Sequence, residues 1–306
     1  MKKFIKLFAM PSLLLTFWAT LNLKAQDTAK TSAFQTIEKS ELEKEKVRYT
    51  KTFDSLLLEE RYRNIIEYGE LLILDRESEI SQLPIPYLIC AYHFIGNEER
   101  SKKLLNQKLR HYNYEDLVRL LITSDIAFIK YFSVKKNREP IITKAINDYK
   151  KNEKASDKAA GEQIIRFFIN DQLIRKLKYI YKEDDPVYQD KRFQEFKKQD
   201  SIQNVNILAF YKQHKKYFSS EEVGKTVSWY QPIILSHYDN IQLRQTFFKE
   251  LLEKAVKEGR MEKTSYVHFL LRTESFTNPD FFKNLEKRME EVRKEFDLPN
   301  YLWNPF

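Results

Sequence analysis

Apolar side chains recur at intervals of three and four residues along most of this chain, which is the spacing of one face of an α-helix. One such face near the C-terminal end is formed by Ile241, Phe248, Leu251, Leu252 and Ala255. Asp239 or Asn240 is expected to begin this helix and Gly259 to end it, because short polar side chains cap helix starts and glycine favours helix ends.

A second face of the same kind is formed by Phe281, Leu285, Met289, Val292 and Phe296. Asn278 is the expected cap of that helix, with Pro279 in its first turn. Ser219 and Glu222 have the spacing of a capping box, which predicts a helix start just before Val223. The chain has only five glycines and lacks the Asn-Gly and Asp-Gly pairs typical of β-hairpins. These patterns agree, and they predict an all-α fold.

Two segments between residues 49 and 110 echo each other. The second segment carries the clearer pattern, which consists of Ala91-Tyr92, Gly96-Asn97, Ser101 and Leu105. The segments align when Ile65 is set against Ser101, a spacing close to the ~34 residues of a tetratricopeptide repeat. This part of the chain resembles degenerate tetratricopeptide repeats, which implies paired helices that cross where side chains are small. Helices within 114–132 and 141–149 are expected to complete the stack.

The predicted architecture is tetratricopeptide-like helical hairpins followed by a second multi-helix unit. Residues 1–25 are predicted as a signal peptide, 26–48 as a linker, 49–152 as the repeat-like domain and 156–306 as the C-terminal helical domain. The boundary is placed in the polar run Lys150–Glu162, which contains a glycine. A long amphipathic helix, Ile164–Tyr181, is expected to open the second domain.

The first residues have the order of a secretory signal peptide. Lys2, Lys3 and Lys6 precede the apolar stretch Leu7–Leu21, and the small residue Ala25 follows. The alternative is an uncleaved membrane anchor, but Pro11 interrupts a stretch that is shorter than the ~20 apolar residues of a spanning helix. We therefore expect a periplasmic or secreted protein without stable membrane insertion after cleavage.

The charge pattern does not indicate nucleic-acid binding. The net charge of +9 falls to +5 in the mature chain, because the signal segment carries four lysines and no acid. The remaining charges are interleaved rather than gathered in a one-sided basic stripe. The single cysteine, Cys90, lies in an apolar run and is expected in the core, and a lone cysteine permits no intramolecular disulfide.

No standard catalytic or cofactor motif is present. The sequence has no glycine-rich phosphate loop, nucleophile elbow, His-Glu-x-x-His motif or Cys-His zinc spacing. The five histidines are His93, His111, His214, His237 and His268. No two of them share a helical face at i, i+4, so a metal site would need ligands from separate helices. We therefore predict neither a metal nor a cofactor.

A series of motif positions, most of them polar, spans about a third of the chain, from Ile164 to Arg272. They are Asp171-Gln172, Arg175, Asp200-Ser201-Ile202-Gln203, Leu208, His214, Val223-Gly224, His237, Asp239 and Gly259. In this order and at these intervals the segment resembles an uncharacterised domain-of-unknown-function family of exported Gram-negative bacterial proteins. The resemblance implies a helical domain, often preceded by helical repeats.

Several positions depart from the family pattern. Gln203 stands where the family has Asn, and Lys215–Tyr217 replaces a Gly-Trp-Pro turn. Leu271-Arg272 stands where the family has Asp-Arg, and its Gln-x-Tyr-Gly tail is absent from Leu298–Phe306. If the family's polar residues form a site, the resemblance implies that this chain lacks at least one carboxylate of it, which could serve as a general acid or base or orient His237.

Two functions follow from these observations. The first is an exported non-catalytic helical protein, a protein-interaction or scaffold module of the cell envelope with a protein partner. The second is a small-molecule or envelope hydrolase with His237 as general base, Asp200 as its orienting group or a second acid, and Arg175 or Arg272 as an anion clamp. We further expect Asp200, His237 and Arg272 to face a common cleft, either as a site or as a structural polar lock.

Overall fold

A computed structural model describes residues 40–74, 79–180 and 191–298. Within these ranges the chain is helical and contains no strand, which confirms the predicted all-α class. The predicted signal peptide and the linker up to residue 39 lie outside the described residues. No helix in the described ranges is long and apolar enough to cross a membrane.

The chain divides into two compact units, Met1–Ala91 and Tyr92–Phe306. The first unit contains α1 (residues 40–58), α2 (Tyr62–Leu74), a 3₁₀ turn (Glu79–Gln82) and most of α3 (Ile85–Phe94). Tyr87 donates a hydrogen bond to Asp54 Oδ1 at 2.6 Å and its ring stacks on Phe53. A Cβ at Gly69 would lie 2.9 Å from Leu88 Cγ, so only glycine allows α2 this close to α3.

The second unit contains all the later helices. They are α4 (Glu98–Lys108), α5 (Tyr114–Leu121), α6 (Ile126–Ser133), α7 (Lys135–Asn152), α8 (Lys158–Ile180), α9 (Lys191–His214), α10 (Ser220–Val223), α11 (Lys225–Ser236), α12 (Ile241–Leu243), α13 (Lys249–Lys257), α14 (Lys263–Ser275) and α15 (Leu285–Phe296). The region predicted as 114–132 is two helices, because Asp125 caps a new helix by accepting the N–H of Ala127.

The long helix α8 is the centre of the second unit and packs against α6, α7, α9 and α11. Its buried side chains include Ile164, Ile165, Phe167, Phe168, Ile169, Leu173 and Ile174, which point to most sides of the helix. The helix itself was predicted, but its amphipathic character was wrong. A helix with buried apolar residues on most sides lies largely inside a protein, and α8 keeps an exposed strip that includes Ala159 and Gln163.

The small residues of the repeat-like pattern are buried as expected. Ala91, Ser101 and Cys90 are fully buried, and Gly96 adopts a positive φ of 87° in the turn before α4. Asn97 caps α4 by accepting the N–H of Arg100. These local features agree with the sequence, whereas the tetratricopeptide-like arrangement stays a prediction.

The predicted domain boundary lies within the second unit. There the Ser156 and Asp157 N–H groups donate to the carbonyls of Glu221 and Glu222. Tyr149 at the end of α7 donates to the carbonyl of Val223 at 2.9 Å. The division between the two units and the predicted boundary thus fall at different places, and a domain boundary near residues 152–156 stays a prediction.

The C-terminal helices begin and end partly as expected. Asn240 caps α12, and Gly259 follows α13 with a φ of 69°. Between α12 and α13 a π-helical turn, Arg244–Phe248, interrupts the continuous helix that the sequence predicted. The last helix starts at Leu285 rather than near Asn278, because residues 278–284 form turns and a 3₁₀ segment.

Candidate functional site

A buried polar cluster lies where α11 ends. Apolar side chains such as Val227, Ile234 and Leu235 bury α11 against α8 and α14, so its last residues are carried into the interior. His237 follows as the C-terminal cap and is only 9% exposed. The side chains that meet there form what we call the His237 cluster. They are Asp171, Gln172, Arg175, His237 and Arg244.

Asp171 on α8 is the hydrogen-bond acceptor of this cluster. Its Oδ2 lies 2.7 Å from His237 Nδ1 and accepts from Gln172 Nε2 at 2.9 Å. Its Oδ1 accepts from Arg175 Nε at 3.0 Å, one helical turn along α8. Because the carboxylate accepts, the imidazole proton lies on Nδ1 and Nε2 is the unprotonated ring nitrogen.

The arginines of the cluster bind the end of α11. Arg175 Nη2 donates to the carbonyl of His237 at 2.9 Å, and Arg244 Nη1 donates to the carbonyl of Ser236 at 2.5 Å. The last carbonyls of a helix lack intrahelical donors and carry partial negative charge, so guanidinium groups there stabilise the helix end. The Arg244 guanidinium also lies over the Phe276 ring, 4.5 Å from its centre.

Burial and neighbouring charge shift the pKa values of the cluster. Burial lowers the pKa of His237 below its ordinary value, and Arg175 and Arg272 lower it further against the opposing effect of Asp171. Burial would raise the pKa of Asp171, but His237 and Arg175 outweigh it, and the pKa is lowered. The folded protein therefore holds an ionised Asp171 beside a neutral His237.

Arg244 is the most buried cation of the cluster, with 3% of its surface exposed. Burial, followed by repulsion from Arg175, lowers its pKa to about 10. At neutral pH it is still protonated. The cluster thus contains two guanidinium groups near one buried carboxylate, which favours a neutral imidazole.

The predicted site residues are only partly brought together. His237, Arg175 and Arg272 interact, the last through its charge from α14. Asp200 lies on α9, and the carboxylate bonded to the ring belongs to Asp171. Asp171 is therefore the carboxylate found at Nδ1, and an orienting role for Asp200 stays a prediction. A role for Asp200 as a second acid, and its place in a common cleft with His237 and Arg272, stay predictions.

Sequence reasoning missed Asp171 as the partner of His237 and Arg244 as a further member of the cluster. Asp171 and Arg175 stand four residues apart within the apolar run of α8, which is the signal of a buried ion pair on one helix. Arg244 gave no such signal, because its position depends on the π-helical turn at the start of which it lies.

Gln203, one of the departures from the family pattern, has a structural role. Its Nε2 donates to the carbonyl of Phe167 on α8 at 3.1 Å, and the side chain is buried. The neighbouring Asn204 donates to Asp239 at 2.9 Å. These bonds join α9 to α8 and to the segment after α11. Within the described ranges, no group of three or more His, Cys, Asp or Glu side chains is placed to hold a metal ion.

A cleft of ≈ 850 Å³ lies at the opposite, N-terminal end of α11, within the second unit. We call it the Trp229 cleft, and the lining residues that matter here are Arg119, Phe168, Lys225, Trp229, Tyr230 and Arg260. Gly224 allows α11 to start here, because its φ of 86° favours glycine and a Cβ would lie 2.8 Å from the Glu153 carboxyl carbon.

No protein-family model, curated protein or solved structure matches this chain. The resemblances to tetratricopeptide repeats and to the family of exported proteins therefore stay predictions. The function has to be argued from the His237 cluster and the Trp229 cleft.

Proposed function

We propose that this protein is a non-catalytic helical protein of the cell envelope, periplasmic or secreted, that serves as a protein-interaction or scaffold module. One observation carries the proposal. The side chains that would perform acid-base chemistry are already bonded to one another and to the end of α11. They form a structural lock between helices.

The bonding of each group supports this reading. Asp171 accepts from three side chains, and Arg175 donates both to that carboxylate and to a main-chain carbonyl. An anion clamp needs guanidinium N–H groups that can turn to a substrate, and those bonds would first have to break. Breaking them would take one of three donors from the buried Asp171 carboxylate and the Arg175 donor from the carbonyl of His237, at a cost of about 1–3 kcal/mol for each bond.

The hydrolase is the second candidate, and one observation favours it. The bond from Nδ1 to Asp171 fixes the ring and leaves Nε2 to accept a proton, as in a histidine general base oriented by a carboxylate. In that version Asp171 takes the orienting role that the sequence had given to Asp200. Burial of His237, which leaves little of the ring accessible to a substrate, weighs against it.

Stability measurements on histidine variants separate the two functions. As part of a lock, His237→Ala should lower the free energy of unfolding by about 1–3 kcal/mol, because Asp171 loses a buried donor. His111→Ala is the matched control, since His111 is exposed, and it should change stability by less than about 0.5 kcal/mol.

The opposite result would support the hydrolase. His237→Ala would then unfold like the wild type but lose a hydrolysis of p-nitrophenyl acetate or p-nitrophenyl phosphate that His111→Ala retains. Both readouts can be made on the same preparations, with urea unfolding followed by circular dichroism.

A further inference from the structure

The Trp229 cleft has a rigid aromatic wall. The rings of Phe168 on α8 and Tyr230 on α11 stack in parallel, with centres 3.8 Å apart. Both side chains are buried, so this wall is fixed by the core of the second unit. A rigid apolar surface loses little conformational entropy when a ligand packs against it.

Trp229 is exposed beside this wall. It is 51% exposed, whereas its neighbours Ser228 and Tyr230 are buried. Removing the exposed apolar surface of an indole ring from water is favourable in free energy, so a ligand that covers the ring is bound more tightly. Tryptophan is also enriched among the residues that dominate protein-protein binding. The cleft therefore offers an apolar anchor point at its opening.

The charges of the cleft are predominantly positive. Arg119 and Lys225 are exposed, and neither side chain has a hydrogen-bond or ion-pair partner in the part of the chain that the structure describes. Arg260 forms an ion pair with Glu222, with Nη2 and Oε2 2.6 Å apart, so its charge is already compensated. The carboxylate that lines the cleft belongs to Glu262. Two cations are thus available to a ligand, which favours an anionic one.

A second carboxylate, Glu115, lies beside the cleft and is engaged. It accepts a hydrogen bond from the Thr226 hydroxyl at 2.5 Å. It stands one helical turn before Arg119 on α5, and the described part of the chain shows no ion pair between the two side chains. Arg119 therefore keeps its donors free for an incoming group.

The position of these groups favours a chain segment over a small molecule. Small-molecule pockets enclose most of their ligand and place their polar groups inside. Here Arg119, Lys225 and Trp229 are all on the exposed side of the cleft, while the interior is aromatic. A peptide lying across the opening would meet all three.

We propose that the Trp229 cleft binds an acidic peptide segment of a protein partner, with one aromatic or large apolar side chain packed against Trp229 and flanking carboxylates bound by Arg119 and Lys225. This rests on the proposed function, because it names the kind of partner such a module would bind.

Fluorescence anisotropy with two labelled peptides tests the proposal. One has a phenylalanine between pairs of aspartates, and the other has asparagines in their place. The acidic peptide should bind at least about tenfold more tightly, and its affinity should fall as salt is raised, because the added attraction is electrostatic. Equal binding of the two peptides, or no binding of the acidic one up to millimolar concentration, would overturn the proposal.

Matched variants of the full chain locate the binding. Arg119→Gln combined with Lys225→Gln should weaken binding of the acidic peptide about tenfold. The control combines Arg110→Gln with Lys103→Gln, which also removes one arginine and one lysine charge, but from exposed positions outside the cleft. Its affinity for the acidic peptide should stay within about twofold of the wild type. Equal losses in both pairs would show a non-specific charge effect and contradict the proposal.

Trp229→Ala should likewise weaken binding about tenfold, whereas Phe282→Ala, which removes another exposed aromatic ring, should not.

If 2-naphthoate competes with the acidic peptide and itself binds as tightly, the cleft is a small-anion site and the peptide is the wrong ligand. Failure of the peptide to bind leaves the stability result for His237 unchanged, so the two proposals can fail separately.

Discussion

The cationic side chains near the two ends of α11 differ in whether they have bonding partners. At the C-terminal end Arg175 and Arg244 are bonded to main-chain carbonyls, and Arg175 also to the Asp171 carboxylate. At the N-terminal end Arg119 and Lys225 project into solvent, and the described part of the chain provides neither with a partner.

The difference follows from burial. A buried charge is stable only when it is paired and hydrogen-bonded, so the bonds of the His237 cluster are needed to keep the fold. An exposed lysine or arginine is hydrated by water and needs no partner, which leaves it able to bind one. On the function proposed above, the polar residues that first suggest catalysis hold the helices together, and the N-terminal end of α11 is the one proposed for recognition.

The largest effect is expected from removing Asp171. Asp171→Ala leaves Arg175 and the end of α11 without their carboxylate, and should lower the free energy of unfolding by about 3–5 kcal/mol. Asp280→Ala, at an exposed ion pair with Lys283, should change it by less than about 1 kcal/mol. Urea unfolding measures both changes. Equal losses of stability would contradict the claim that the buried carboxylate stabilises the fold more than the exposed one.

The pKa of His237 gives the next largest effect. The unfolded chain protonates this histidine below about pH 6.5, whereas the folded protein does so only at lower pH. The unfolded state then binds more protons, so the free energy of unfolding falls as the pH falls below about 6.5, by up to about 1 kcal/mol per pH unit.

His93 is also buried with a lowered pKa and adds to the same trend, so the test is a comparison of slopes between pH 7.5 and 5.5. His237→Gln should reduce the slope, and His111→Gln should keep it. A His237→Gln slope equal to that of the wild type would mean that the folded imidazole titrates normally and is not held neutral by the cluster.

The smallest effect is expected at the other end of α11. Trp229→Ala and Lys225→Gln should change the free energy of unfolding by less than about 0.5 kcal/mol, because both side chains are exposed. Thermal unfolding followed by circular dichroism is sufficient. A loss above about 1 kcal/mol in either variant would show that this end also serves the fold.

The sequence predicted the fold class and many helix ends because these depend on local signals. Periodicity, Asn240 as a cap and Gly259 as a helix end each act over a few residues. The amphipathic reading of α8 failed because its neighbours bury most sides of it, and burial of this extent cannot be told from one segment alone.

The site was harder to predict than the fold. His237 and Arg175 were named as candidates, but the sequence named Asp200 as the orienting group or a second acid and did not single out Asp171, which is bonded to the ring. Both aspartates stood in the same series of polar positions, and only the packing of α11 on α8 distinguishes them. The Trp229 cleft left no pattern in the sequence, because residues from α5, α8, α11 and the start of α14 contribute to it.

The most direct test of the contrast is one urea-unfolding experiment on two matched variants, Arg175→Gln and Arg119→Gln. Each exchanges an arginine for the same neutral side chain on the same fold. We predict that Arg175→Gln lowers the free energy of unfolding by about 1–3 kcal/mol while Arg119→Gln leaves it within about 0.5 kcal/mol of the wild type. Equal losses, or a larger loss for Arg119→Gln, would contradict the assignment of a structural role to one end of α11 and a binding role to the other.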